Sequence, residues 1–332
     1  MARRDIIVLG ASAGGVDVLS RVLADAADAD ATFVVVVHMA ANARTALPEI
    51  LHRSTGLDCR LAADGDRLEH GQVLIAPPDR HLVVVRGSVA VVNAARENRA
   101  RPAIDPLFRT AALAYGPRVI AVALSGVLDD GTAGSAAVRR RGGVIVVQDP
   151  DDALFADIPR NIIEHVGADH VLPSAEIGGT IARLSAEEVE DHMAFDEDEE
   201  PALANQDKLL RKAQSGEIIE FTCPECSGTL WEVHEDGIPR YRCRVGHVYS
   251  PEALRAAQSE SVETALWIAM RALEEQADLI RRWAERSRGK HAPSAAARHD
   301  LRAEEVEQRA QVIRDLLDEL SGLRERSGSA GV

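Results

Sequence analysis

The stretch Ile6-Ile7-Val8-Leu9-Gly10-Ala11-Ser12-Ala13-Gly14-Gly15-Val16 decides the fold. Four consecutive apolar residues, Ile6–Leu9, suit a strand covered on both faces, as in a parallel sheet. The small residues that follow let the chain turn sharply, and Val16–Ala26 carries a helical pattern. The alternation recurs downstream. Phe33–Val37 predicts a second strand and Val73–Ala76 a third, while Leu82–Val85 and Val89–Val92 flank Gly87-Ser88 as a hairpin. A helix around Pro106–Tyr115, a strand Val119–Leu124, a helix after Asp130 and a strand Val144–Val147 continue the series. Helical stretches near Ile158–His165 and Ser174–Leu184 close it. This predicts an α/β fold, a doubly wound and mostly parallel sheet with an inserted hairpin.

Length and charge extend this reading. The chain of 332 residues, 46% hydrophobic and 27% charged, suggests more than one domain of ~100–200 residues. A net charge of −15 argues against a general nucleic-acid binder. The charge is uneven: 19 basic and 22 acidic side chains up to Ser185, then 19 and 31 after it. Asp196-Glu197-Asp198-Glu199-Glu200-Pro201 self-repels and reads as a solvated linker. The expected domains are therefore 1–185 (the α/β layer), 186–207 (acidic linker), 208–250 (cysteine-bearing ribbon) and 251–325 (helical). In the last, Leu266, Ala269, Leu273, Ala277 and Ile280 step by three and four, as do Val306, Ala310, Ile313, Leu317 and Leu320. Separated by Gly289–Pro293, they predict an antiparallel helix pair or coiled-coil arm, a candidate surface for homo-oligomerisation. Nothing approaches the ~20 apolar residues that span a bilayer, and Met1-Ala2-Arg3-Arg4-Asp5 has no signal-peptide core. A reducing cytoplasm without membrane insertion is expected.

Ser12 lies on the first strand-to-helix turn, at the carboxyl edge where doubly wound sheets bind ligands. One reading is a dinucleotide loop, but that loop needs an acidic residue at the end of the second strand, which here runs Val37-His38-Met39. The other makes Ser12 a nucleophile, since Gly10–Gly14 fits Gly-x-Ser-x-Gly. A serine needs a base, and the base needs an orienting carboxylate. His38 ends the second strand, and the strand Val119–Leu124 runs into Asp129-Asp130-Gly131 at the same edge. Taken singly, the histidine reads as structural and the aspartates as a helix cap; together they read as a triad.

At these residues the sequence resembles the CheB-type methylesterase domain of bacterial chemotaxis. The motifs are Gly10–Gly15, His38-Met39, Ala76-Pro77-Pro78-Asp79-Arg80-His81, Arg101–Phe108, Ser125-Gly126 with Asp130-Gly131, and Gln148 to Arg160. They occur in order between Asp5 and Leu184. The resemblance implies that Ser12 is the nucleophile, His38 the base and Asp130, directly before the glycine, the orienting acid. It implies hydrolysis of γ-glutamyl methyl esters on chemoreceptors, releasing methanol, with deamidation of receptor glutamines as a companion activity. Oxyanion donors are expected from Ala13 or its neighbours and from the Val127 turn. The family commonly has Thr and Met where this chain has Ala13 and Val127, which bears on substrate fit. It also often carries a phosphorylatable receiver domain ahead of the catalytic one, and with Asp5 already at the first strand none is expected here.

Cys223-Pro224-Glu225-Cys226 and Cys243-Arg244-Val245-Gly246-His247 form two knuckles. Three thiolates and an imidazole suit a tetrahedral, structural Zn²⁺ with no position left for a catalytic water. Gly228–Tyr241 between them predicts a short hairpin, and His234 within it is the rival fourth ligand. Cys59 reads as a strand thiol. No cofactor is expected for catalysis. The leading expectation is a serine methylesterase acting on a methylated chemoreceptor or similar signalling protein; the alternative is a non-enzymatic signalling scaffold on the same fold.

Overall fold

The computed structural model describes residues 2–190 and 216–329. The acidic block 196–201 lies outside them. The described chain divides into two compact units, Met1–Leu254 and Arg255–Val332.

The first unit is built on a seven-stranded parallel sheet. After a short β1 (Ala2–Arg3), β2 (Ile6–Ala11) and β3 (Thr32–Val37) are buried along their whole length. That is why both read as unbroken apolar runs. Between them α1 (Gly15–Asp25) crosses one face. α2 (Leu47–Thr55), β4 (Asp58–Leu61) and β5 (Gln72–Ile75) follow. The hairpin β6 (His81–Val85) and β7 (Ser88–Val92) forms a sheet of its own. It is fixed to α3 (Ile104–Tyr115), where the Val84 and Gly87 N–H groups donate to Thr110 Oγ1 and Tyr115 Oη. β8 (Val119–Ala123), α4 (Thr132–Arg140), β9 (Val144–Gln148), α5 (Asp157–His165), β10 (His170–Leu172) and α6 (Ser174–Ser185) complete the layer. β11 (Glu188–Val189) then pairs with β1.

The strand order is β10-β9-β8-β2-β3-β5-β4. From β2 the chain first winds outward through β3, then returns to β8 on the other side and winds the opposite way. β2 is thus the switch point, and the crevice above its carboxyl end is the natural binding site. The period-two alternation divides the core between two faces. Val8, Val34 and Val36 pack with α3, α4 and α5, whereas Ile7, Leu9, Val35 and Val37 pack with α1, α2 and α6.

A second, antiparallel sheet of four strands belongs to the same unit: β12 (Glu217–Thr222), β13 (Thr229–Glu235), β14 (Ile238–Cys243) and β15 (Val248–Tyr249). Its last strand also bridges Glu97 of the first layer, with Val248 N–H donating to Arg96 O and Asn98 N–H to Val248 O.

Two long helices follow, α7 (Pro251–Gly289) and α8 (Pro293–Ser329), each with proline at its first position, where no N–H is needed. Ala277 and Ile280 pack with Ala303 and Val306. Arg314 pairs with Glu274, Arg281 with Glu307 and Arg288 with Asp300, so the helices run antiparallel along the seam.

Candidate active site

Three neighbouring strands, β8, β2 and β3, end at one rim, and each delivers one side chain. Ser12 directly follows β2, His38 directly follows β3, and Asp130 closes the loop between β8 and α4. Backbone bonds set the register of the rim: Ser12 N–H donates to Ser125 O at 3.0 Å, and His38 N–H to Ala11 O at 3.1 Å. The turn itself needs glycine. Gly14 sits at φ 71° just before α1. At Gly126 an added Cβ would lie 2.4 Å from Ile158 Cδ1 and 2.7 Å from the Ser12 Cβ. Two strand-end loops meet there with no room for a methyl group.

The imidazole of His38 bridges the other two. Its Nδ1 lies 3.1 Å from Ser12 Oγ and its Nε2 lies 2.7 Å from Asp130 Oδ2. With the Nε2 proton held by the carboxylate, Nδ1 is left as an acceptor facing the hydroxyl. This reverses the more familiar use of the two ring nitrogens without changing the logic of the relay.

Asp130 is 1% exposed, yet its carboxylate is fully supplied with donors. Oδ2 accepts the Ile104 N–H at 2.6 Å as well as His38; Oδ1 accepts the Asp105 N–H at 3.1 Å and Asn98 Nδ2 at 2.9 Å. Burial alone would push this carboxyl up. The His38 hydrogen bond and charge, the Ile104 N–H and the Asn98 amide outweigh burial and hold it down to about 2. Asp130 is therefore an anion at any working pH.

Its neighbour Asp129 is also buried but faces away from the histidine, accepting from Ser250 Oγ at 2.7 Å. Burial drives its carboxyl up to about 7, against that hydrogen bond. The adjacent aspartates thus have opposite environments.

Ser125 and Gln148 brace the serine loop. Ser125 Oγ donates to Ala13 O and accepts the Phe155 N–H, while Ser125 N–H donates to Gln148 Oε1. Val127, Leu154 and Phe155 form an exposed apolar rim on the same loops.

A family model described as CheB methylesterase matches residues 7–181. The chain belongs to the CheB methylesterase family. Among curated relatives, it is 33% identical over 188 residues to a protein-glutamate methylesterase/protein-glutamine glutaminase of Rhodospirillum centenum, covering 55% of this chain and 48% of that one. It is 37% identical over 188 residues to one from Paramagnetospirillum magneticum, covering 55% and 49%. The chain spans about half the length of the curated relatives it matches. The crystal structure of the Thermotoga maritima CheB methylesterase catalytic domain superposes with a TM-score of 0.52 at 32% identity, covering 55% of this chain and 99% of that one.

The CheB-family match ends before the two cysteine knuckles. Cys223, Cys226, Cys243 and His247 nevertheless converge, their ligand atoms all within 4.8 Å of one another. Cys226 Sγ is 3.6 Å from Cys243 Sγ, and His247 Nδ1 is 3.6 and 3.5 Å from the sulfurs of Cys223 and Cys243. Those separations fit a tetrahedron around one ion with metal–sulfur bonds of roughly 2.3 Å. His247 Nε2 lies 3.3 Å from Glu225, a carboxylate placed to orient the imidazole. The cluster could hold a metal ion. His234, by contrast, is exposed and pairs with Glu232, and Cys59 lies in β4 away from the cluster.

Sequence reasoning singles out Ser12, His38 and Asp130, and the structure brings them into contact. It gives no role to Asn98, Ser125 or Gln148, and it quotes Asp105 only within a motif. One signal was available: Asn98 stands at φ 48°, a left-handed position that asparagine tolerates better than most residues.

Proposed function

We propose that this CheB-family domain hydrolyses γ-glutamyl methyl esters on a chemoreceptor-type signalling protein and deamidates receptor glutamines at the same site. The observation that carries the reading is the continuous chain Ser12 Oγ to His38 Nδ1 (3.1 Å) and His38 Nε2 to Asp130 Oδ2 (2.7 Å). His38 Nδ1 takes the proton of Ser12 as the hydroxyl attacks the ester carbonyl. N–H groups of Ala13, at the open amino end of α1, and of Val127 are proposed to receive the oxyanion. The C–O bond to the methoxy group breaks, and His38 returns its proton to release methanol. Water then attacks the acyl-serine with His38 again as base, giving glutamate and free Ser12. With a glutamine the leaving group is ammonia instead. Asp130 keeps the histidine in the tautomer that leaves Nδ1 free and stabilises it when protonated. The apolar rim of Val127, Leu154 and Phe155 suits an amphipathic receptor helix beside the ester.

For the cysteine cluster we propose a structural Zn²⁺ held by Cys223, Cys226, Cys243 and His247. Four protein ligands leave no open position, so the ion would hold the ribbon together and take no part in the reaction.

The deciding experiment is methanol release from a methylated receptor by the wild type and by Ser12→Ala. Release by the wild type and none above background by the variant is expected. No release by either leaves a binding scaffold, and equal release by both removes the serine mechanism.

A further inference from the structure

We propose that the cysteine ribbon is a built-in positioning module for the catalytic carboxylate, with Arg240 as its principal positioning residue. The inference rests on the hydrolase reading above and assigns a role to residues that lie beyond the matched segment 7–181.

The back of Asp130 is reached from the ribbon by two separate routes. In the first, Arg240 of β14 is 1% exposed and its Nη1 donates to Asp105 Oδ2 at 2.6 Å, across 135 residues of sequence. Asp105 is itself wholly buried at the start of α3. Its Oδ1 accepts the N–H groups of Gly131 (3.0 Å) and Gly134 (2.7 Å), which pins the residue after Asp130 and the amino end of α4. Its own N–H donates to Asp130 Oδ1. In the second route, Asn98 is held by two bonds to the ribbon's end and passes a third to Asp130. Its N–H donates to Val248 O at 2.8 Å, its Oδ1 accepts the Ser250 N–H at 3.1 Å, and its Nδ2 donates to Asp130 Oδ1 at 2.9 Å. The same Nδ2 donates to Asp105 Oδ2 at 2.8 Å, so the routes meet at one amide.

Charge explains why the arginine matters. Asp105 and Asp130 are two buried carboxylates that share one amide nitrogen, Asn98 Nδ2. Burial drives Asp105 up, the Arg240 charge opposes it, the Asp130 charge adds to the rise and the Arg109 charge again opposes it. Without the Arg240 guanidinium Asp105 loses its ion-pair partner, and its hold on Gly131, Gly134 and Asn98 weakens. The loop bearing Asp130 then loses its brace. Arg240 bonds to Asp105 and pairs with Glu97, and not with Ser12 or His38. Its effect falls on turnover and leaves substrate binding alone.

The test uses the full chain with two readouts, at a temperature well below each variant's melting transition. One is the rate constant for phosphonylation of Ser12 by a small alkyl fluorophosphonate, where Ser12 Oγ bonds to phosphorus, fluoride leaves and His38 takes the proton. That reagent is too small to need a receptor surface. The other is kcat and KM for methanol release from a methylated receptor. Arg240→Met is expected to slow phosphonylation and kcat about 10–100-fold with KM unchanged, and Arg240→Lys to restore most of the loss. Arg140→Ala, which breaks only the exposed ion pair between α4 and Asp236 of the ribbon, is expected to match the wild type. If Arg240→Met does not fold, Arg240→Gln is read in its place, with at least a fivefold slowing of phosphonylation expected. Wild-type phosphonylation in the folded Met or Gln variant overturns the proposal, as does a raised KM with kcat intact, which would make the ribbon a docking surface. A wild type that is neither phosphonylated nor able to release methanol overturns the hydrolase reading and this inference together.

Discussion

A single nitrogen, Nδ2 of Asn98, donates to both Asp105 and Asp130, at 2.8 and 2.9 Å. It bridges two buried carboxylates that otherwise serve different partners: Asp130 accepts from His38, Asp105 from the N–H groups of Gly131 and Gly134. Asn98→Ala removes a hydrogen bond to a buried charge, worth ~1.5–3 kcal/mol. We expect kcat to fall by roughly 10–100-fold while Ser12 still labels with an active-site phosphonate, more slowly. Asn98→Asp, which adds a third carboxylate, is expected to be worse than Ala in both activity and melting temperature. Steady-state kinetics with a parallel thermal melt check both statements.

Gly126 carries the second expectation. Its missing side chain leaves the space where the Ser12 and Ile158 side chains meet. Gly126→Ala is expected to cost about 1–3 kcal/mol through overpacking, and to lower kcat because it crowds the Cβ of Ser12, the proposed nucleophile, as well as Ile158. Denaturant unfolding and methanol release measure the two effects; a variant indistinguishable from the wild type in both would contradict the packing described.

A pH dependence follows from Asp129. Its carboxyl is pushed up by burial to about 7, against ~3.9 in an unfolded chain. Between those values the folded state holds a proton that the unfolded state has lost. Its contribution is complete below about pH 4 and shrinks as pH rises toward 7, at up to ~1.4 kcal/mol per pH unit. Asp129→Asn keeps an acceptor for Ser250 and has nothing to titrate. Wild type and variant should melt alike near pH 4, with the variant pulling ahead by pH 8. Parallel melting curves across that range would remove Asp129 as the cause.

The metal expectation is read without any assay of activity. Purified protein should hold about one zinc per chain, and Cys226→Ser, which deletes one ligand from the first knuckle, should hold far less. Metal content by elemental analysis decides it, and equal content in the two proteins would refute the ligand set. Loss of metal should also melt the ribbon at lower temperature than the parallel sheet, since the ribbon's β12 exposes Ile218 and Phe221 instead of burying them.

What the sequence discloses about this molecule divides along a physical line. β2, β3, β8 and β9 are legible because strands covered on both faces must be apolar throughout, and the turn after β2 is legible because only small residues make it. The positions of Ser12, His38 and Asp130 follow from that, since each sits on the short loop beyond a readable strand. β4 is harder to see. Its residues are intermediate or exposed, so an edge position needs no apolar run and leaves only Cys59 as a hint. The brace behind Asp130 has no local signature at all. Asp105 and Arg240 lie 135 positions apart, in segments of different character, and a buried ion pair imposes no period on either.

Arg240 comes late in the chain, and that has a consequence for how the protein is made. Ser12, His38, Asp105 and Asp130 all leave the ribosome well before the ribbon does. A nascent chain that has reached only residue 190 holds the Asp105 carboxylate with Arg109 nearby but without the Arg240 guanidinium. On the positioning role proposed above, a fragment cut after the sheet keeps Ser12, His38 and Asp130 and lacks the brace behind them.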